Sequence, residues 1–191
     1  RCDRSAARAA PLRPFPLVRA DHMRAPAFLS ERGLSLRWLR NQDLPWLRDL
    51  YATTRADELA PVPWPPVQKR QFLDQQFALQ HEHFVLHFAE ADFLAIESAS
   101  RQPIGRYYVL RADPFHIVDI ALLPERYGRG IGSALIEQTI TDATAIGRDV
   151  LLHVNKANSK AFRLYTRHGF SVSEDTGSHW QMRYTAANST Q

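Results

Sequence analysis

The run Asp119-Ile120-Ala121-Leu122-Leu123-Pro124-Glu125-Arg126-Tyr127-Gly128-Arg129-Gly130-Ile131-Gly132-Ser133 leaves an apolar strand-like stretch, crosses a turn with three alternating glycines and enters a helix-like segment. Unpaired N–H groups at a helix start, in a loop whose missing Cβ atoms permit close approach, suit a phosphate or pyrophosphate. The positive helix end and Arg129 add to the attraction. No Gly-Lys-Ser or Gly-Lys-Thr follows, so the lysine that reaches terminal phosphates in a Walker loop is missing. The dinucleotide fingerprint fails too, because its last glycine falls on Ser133 when counted from Gly128 and on Leu135 when counted from Gly130.

A second spacing lies downstream, where Asn158, Ala161, Tyr165, Gly169 and Phe170 form N-x-x-A-x-x-x-Y-x-x-x-G-F. Taken alone, Asn158 reads as a helix N-cap and Tyr165 as a core aromatic. Loop and motif together, with Leu36-Arg37, Asp43-Leu44 and Leu123-Pro124-Glu125 ahead of them, resemble the GNAT acetyltransferase superfamily over residues 34–184. The resemblance implies an α+β (mixed α/β) GNAT-like fold, with a central, mostly antiparallel mixed sheet flanked by helices. It also implies acetyl-CoA as co-substrate, held by Leu122, Leu123, Tyr127, Gly128, Arg129, Gly130, Ile131, Gly132, Ser133, Asn158 and Tyr165. In the family Tyr165 would protonate the departing thiolate. The family's Gln/Arg slot ahead of the first loop glycine falls on Tyr127, with Arg126 one place early.

The reaction expected is direct attack of a primary amine on the thioester in a ternary complex. An amine with a pKa near 10.4 is mostly protonated at pH 7, so a base should remove a proton. In His116-Ile117-Val118-Asp119 alternation puts His116 and Val118 on one face and Ile117 and Asp119 on the other. His116 takes the register position where family members carry a base. Asp119 would need another route, such as a bulge, and a reaction without a dedicated side-chain base is the third reading. His153 and Asn155 are weaker candidates. Asp57, Glu58 and Trp64 fall where the family shapes its acceptor pocket, two anions for a cationic amine and an indole to stack on it; they read equally as a solvated turn beside an anchored tryptophan. His81, His83 and His87 straddle an expected helix–strand boundary and make a poor metal set, so no metal is expected. Binding of acyl-CoA without turnover, as a sensor or interaction module, is the alternative function.

These groups need a scaffold, and periodicity gives the order βααββββαβαββ. Strands are expected at 34–39, 84–89, 93–97, 104–111, 115–123, 150–154, 170–173 and 180–184. Helices are expected after Asp43 as N-cap, at 67–83 with Phe72, Gln76 and Leu79 as its apolar stripe, at 130–146 with Ile131, Leu135, Ile140, Ala143 and Ile146 inward, and at 158–168. Gly147 and Gly169 supply left-handed caps.

A chain of 191 residues, 45% hydrophobic and 23% charged, suits one ordinary domain. Of its net charge of +4, all comes from residues 1–27, with six arginines against two aspartates; residues 28–191 hold equal numbers of basic and acidic side chains. A neutral body argues against a phosphate-tracking nucleic-acid surface. Residues 1–27, rich in Arg, Ala and Pro, are expected to be a disordered basic tail or an extended start ahead of Met23, and 28–191 to be one acyltransferase domain. The single cysteine, Cys2, forms no internal disulfide and fits a reducing, cytoplasmic setting. With no uncharged apolar run of membrane-spanning length, the expected partners are a small-molecule, peptide or protein amine, with the chain itself a monomer or homodimer.

Overall fold

The computed structural model describes residues 11–187. Its centre is a seven-stranded sheet in the order β1-β2-β3-β4-β5-β7-β6, built from β1 (Ser35–Trp38), β2 (Asp92–Glu97), β3 (Pro103–Leu110), β4 (Phe115–Leu122), β5 (Val150–Asn155), β6 (Ser171–Asp175) and β7 (His179–Tyr184). All neighbours are antiparallel except β4 and β5. Short helices α1 (Ala27–Ser30) and α3 (Ala56–Leu59) accompany four longer ones, α2 (Leu44–Thr54), α4 (Pro66–His87), α5 (Ile131–Thr144) and α6 (Ser159–Arg167).

Two apolar cores cover the sheet. One gathers Leu94, Ile96, Tyr107, Val109 and Ile117 with α5 residues Leu135 and Ile136 and with Tyr165 and Phe170; the other packs Leu47, Leu50, Phe77 and Val85 on Phe93 and Tyr108. In α4 the buried residues are Leu73, Phe77, His81 and Val85, a four-residue repeat that lays one stripe on the sheet. The stripe expected on Phe72, Gln76 and Leu79 is therefore rotated, and Leu79 faces solvent at 62% exposure. The same repeat carries the helix to His87, so the expected strand at 84–89 is helical and the sheet has seven strands rather than eight. Ile146, expected inward, lies beyond the end of α5 and is exposed.

Asp43 precedes α2 without capping it. Its carboxylate turns back to accept from the Arg40 amide at 2.7 Å and takes both Nη atoms of Arg37 at 2.8 Å, while Arg37 Nε bonds Glu97. This cluster ties β1 and β2 to the start of the helix.

The N-terminal expectation divides. Residues 1–10 lie outside the described residues, but 11–26, although neither helix nor strand and largely exposed, are anchored on the body at Leu12, Phe15, Met23 and Ala25. Met23 is buried, and its amide donates to Asp92 Oδ2 at 2.8 Å. Asp92 is itself fully buried and also accepts from Arg19 Nη2 and Arg111 Nε, each at 2.8 Å. A buried carboxylate needs such partners, and two of the three, Arg19 and the Met23 amide, come from a segment that composition marks as tail. His81 Nε2 meets the Arg13 carbonyl at 2.7 Å, and the Phe15 ring stands edge-on to His81.

Candidate active site

The loop after β4 begins with a 3-10 turn over Pro124–Arg126. Gly128 (φ +69°) and Gly130 (φ +76°) then take the left-handed conformation, and Gly130 is the N-cap of α5. The first internal bond of α5 runs from Ala134 N to Gly130 O at 3.0 Å, so the amides of Ile131, Gly132 and Ser133 have no partner in the preceding turn. A Cβ on Gly128 would meet nothing within 4 Å. Gly132 lies over Ile120 and Leu164, and Ser133 Oγ is 3.1 Å from Nε2 of His168, the residue that caps α6. The open Gly128, free amides and the exposed Arg129, with no carboxylate from Gly128 to Ser133, fit a diphosphate. Tyr127 is 55% exposed, and its hydroxyl pKa is raised by burial and by the nearby charge of Asp57.

β4 pairs with β5 over only three residues, Phe115↔Val150, His116↔Leu151 and Ile117↔Leu152. Beyond them the strands part, and Val118–Leu122 faces the gap from one side. Leu122 pairs with Gly105 on the opposite edge, where a Cβ would stand 2.6 Å from Leu122 Cδ2 and 2.7 Å from Ala121 O. The glycine allows β3 and β4 to close at that point, and Leu123 N then bonds Ile104 O at 2.9 Å.

α6 places two expected residues. Asn158 Oδ1 accepts from the Ala161 amide at 3.0 Å, which makes it the N-cap. Tyr165 is buried in the core that includes α5, edge-on to Phe170 at 5.9 Å. Its hydroxyl pKa is raised, chiefly by burial and further by the charge of Asp119, so it holds its proton at neutral pH.

The β3–β4 register slips between Tyr108 and Val109: Tyr108 faces Asp119 and Val109 faces Ile117, leaving Val118 unopposed. This bulge overturns the alternation expected for the strand. Asp119 Oδ2 accepts from Arg106 Nε at 2.7 Å, and Arg106 Nη2 donates to Gln80 of α4 at 2.7 Å. His116 packs edge-on against Phe88, which closes α4, at 5.1 Å. His116 and Asp119 therefore both stand on the α4 side of the sheet. His116 Nε2 lies 3.3 Å from His153 Nδ1, and burial first, then His153, pushes its pKa down to about 4.

The three acceptor residues do not converge. Glu58 lines a cavity of about 170 Å³ with Tyr51, Arg55, Leu59, Phe72, Leu73 and Gln76, but both its oxygens lie within 2.8 Å of Arg55 Nη1, so its charge is already matched. Trp64 lines a separate depression and stands edge-on to Phe72 at 5.5 Å. Asp57 is felt at Tyr127, on the loop. Among the described residues no group of three or more His, Cys, Asp and Glu side chains is placed to hold a metal.

Sequence reading missed Arg106, Gln80 and Arg55. An arginine inside the apolar strand Ile104-Gly105-Arg106-Tyr107-Tyr108-Val109 was a usable signal, since a buried guanidinium needs an anion and Asp119 is the one carboxylate in the next strand. Gln80 and Arg55 carry no comparable mark.

The family model described as the acetyltransferase (GNAT) family matches residues 46–170, well over half of the chain. A mycothiol acetyltransferase from Frankia casuarinae is 31% identical over 143 residues, covering 71% of this chain. The chain spans only 36% of that relative's length. Among solved structures, the PaiA N-acetyltransferase from Thermoplasma acidophilum, in complex with coenzyme A, superposes with a TM-score of 0.61 at 19% identity, covering 80% of this chain and 98% of its own. A ribosomal-protein-alanine N-acetyltransferase from Escherichia coli gives a TM-score of 0.54 at 17% identity, covering 83% and 97%. At these identities the likeness is one of fold.

Proposed function

This chain belongs to the GNAT acetyltransferase family, and on that premise we propose that it transfers the acetyl group of acetyl-CoA to a primary amine by direct attack. The observation that carries the reading is the glycine loop with free amides at the head of α5, beside the gap where β4 and β5 part. Acetyl-CoA supplies the activated thioester. The amides of Ile131 to Ser133, the open backbone at Gly128 and the Arg129 guanidinium bind the diphosphate, and α6, whose start Asn158 caps, packs on the loop through Leu164 and His168.

The β5-facing side of Val118–Leu122, unpaired beyond Ile117, lines the gap and offers N–H groups to the thioester carbonyl; one such donor is worth about 3–4 kcal/mol in other enzymes. Tyr165, protonated at neutral pH, gives its proton to the departing thiolate. Proton removal from the amine falls to His116, because Asp119 Oδ2 is committed to Arg106 while the His116 ring is neutral throughout the physiological range. His153, exposed and within 3.3 Å, passes the proton on to solvent. The acceptor is a small-molecule, peptide or protein amine, and the cavity beside Glu58 and Arg55 contributes to its binding.

Isothermal titration with acetyl-CoA, followed by thiol release across polyamines, amino acids and peptides, tests the reading. Saturable binding with amine-dependent thiol release is expected. No binding at millimolar acetyl-CoA removes the acetyl-CoA reading, and binding without release leaves a non-catalytic acyl-CoA sensor, the reading that the free-amide loop also permits.

A further inference from the structure

The back of the glycine loop is closed by a segment ahead of residue 46, where the family match begins. A Cβ on Gly130 would stand 3.0 Å from Phe28 Cζ, with Cε1 at 3.5 Å and Cε2 at 3.8 Å, so the loop rests on the tip of the Phe28 ring. Over the face of the same ring lies the Arg32 guanidinium, its Cζ 3.6 Å from the centroid. Arg32 Nη1 also donates to the Phe28 carbonyl at 3.0 Å, which uses one of five N–H donors. Stacking and hydrogen bond together hold the side chain in place while its remaining donors face solvent beside the loop. Arg32 has no carboxylate partner among the described residues.

The segment is firmly seated. Leu29 is fully buried, and upstream the Met23 amide is bonded to the buried Asp92. The backbone that carries Phe28 therefore cannot lift away from the loop without pulling Leu29 from the core.

We infer that Phe28 and Arg32 are part of the coenzyme site, Phe28 as a positioning residue that sets the glycine loop and Arg32 as a second cation for a phosphate group of acyl-CoA. The inference rests on the acetyl-CoA reading and extends it to residues outside the family match. A guanidinium held on an aromatic face loses little further freedom on binding phosphate, which favours it over a free surface arginine.

The test is calorimetric binding of CoA to wild type, Arg32→Gln, Arg32→Lys, Phe28→Ala and Phe28→Leu, with steady-state rates on acetyl-CoA, acetyl-dephospho-CoA and S-acetylpantetheine. Arg32→Gln should keep the wild-type melting temperature and weaken CoA binding about tenfold at low salt, with partial recovery in Arg32→Lys. Its kcat/KM for S-acetylpantetheine, which has no phosphate, should match wild type. A deficit that persists with dephospho-CoA places Arg32 on the diphosphate, and one that vanishes places it on the ribose phosphate. Phe28→Ala should weaken CoA about tenfold, with recovery in Phe28→Leu. Unchanged CoA affinity in Arg32→Gln, or equal losses with S-acetylpantetheine, overturns the inference while leaving the acetyl-CoA reading intact. Failure of wild type to bind CoA removes both.

Discussion

The Asp119 carboxylate is held 2.7 Å from Nε of Arg106, across a strand pair that bulges at Val118. Arg106 is only 3% exposed, so its charge depends on this partner. Asp119→Asn should destabilise the protein by about 3 kcal/mol, since removing one member of a buried pair strands the other. Urea denaturation measures it. A loss below about 0.5 kcal/mol would mean that Gln80 alone satisfies the guanidinium.

Tyr165→Phe loses only a hydroxyl and should fold normally. Acetyl-CoA affinity should stay within a few-fold of wild type while kcat falls by roughly one to three decades, the range of general acid catalysis. Single-turnover rates equal to wild type, with chemistry limiting, would make Tyr165 a packing residue.

The lowered pKa of His116 has two measurable effects. If His116 is the base, the acidic limb of kcat/KM lies near pH 4 rather than at the ordinary histidine value of 6.5, and His116→Gln removes that limb. The stability effect follows from proton counts. Between pH 6.5 and about 4 the unfolded chain binds the extra proton, so stability falls as pH falls through that window and is fully present above it. The contribution is of order 3 kcal/mol, and the slope between pH 4 and 6.5 should flatten in His116→Gln.

Met23→Ala tests whether the N-terminal segment is structural. Met23 is 2% exposed and packs near Thr139, so truncation should cost about 2–4 kcal/mol by denaturant titration. A cost near zero would show that this segment lifts off without consequence.

Much of the loop and of α5 and α6 was legible because glycines at left-handed positions and the Asn158 cap act locally. The end of α4 was not. Phe84, Leu86 and Phe88 alternate with Val85 and His87 as a strand would, and only the longer repeat from Leu73 through Val85 identifies helix. The bulge at Val118 depends on how two strands pair, which no single-strand pattern encodes, and it decides which face Asp119 takes. The packing of 11–26 was equally hidden, because Arg19, Met23 and Arg111 meet Asp92 only after the sheet forms.

Three rungs between β4 and β5 make the sheet two leaves on one seam, β1–β4 and β5–β7, stitched at one end only. Parallel pairing so short contributes little resistance to shear, and α5, which packs on both leaves, carries the rest of the load. A ligand lying along the open end would act as a clasp, linking leaves that the backbone leaves apart. Amide exchange in Val150–Asn155 should then slow when acetyl-CoA binds, by more than in β1 and β2, which lie on the far side of one leaf. The opening proposed to take the thioester is thus also the shortest pairing in the sheet, and occupancy and rigidity should rise together.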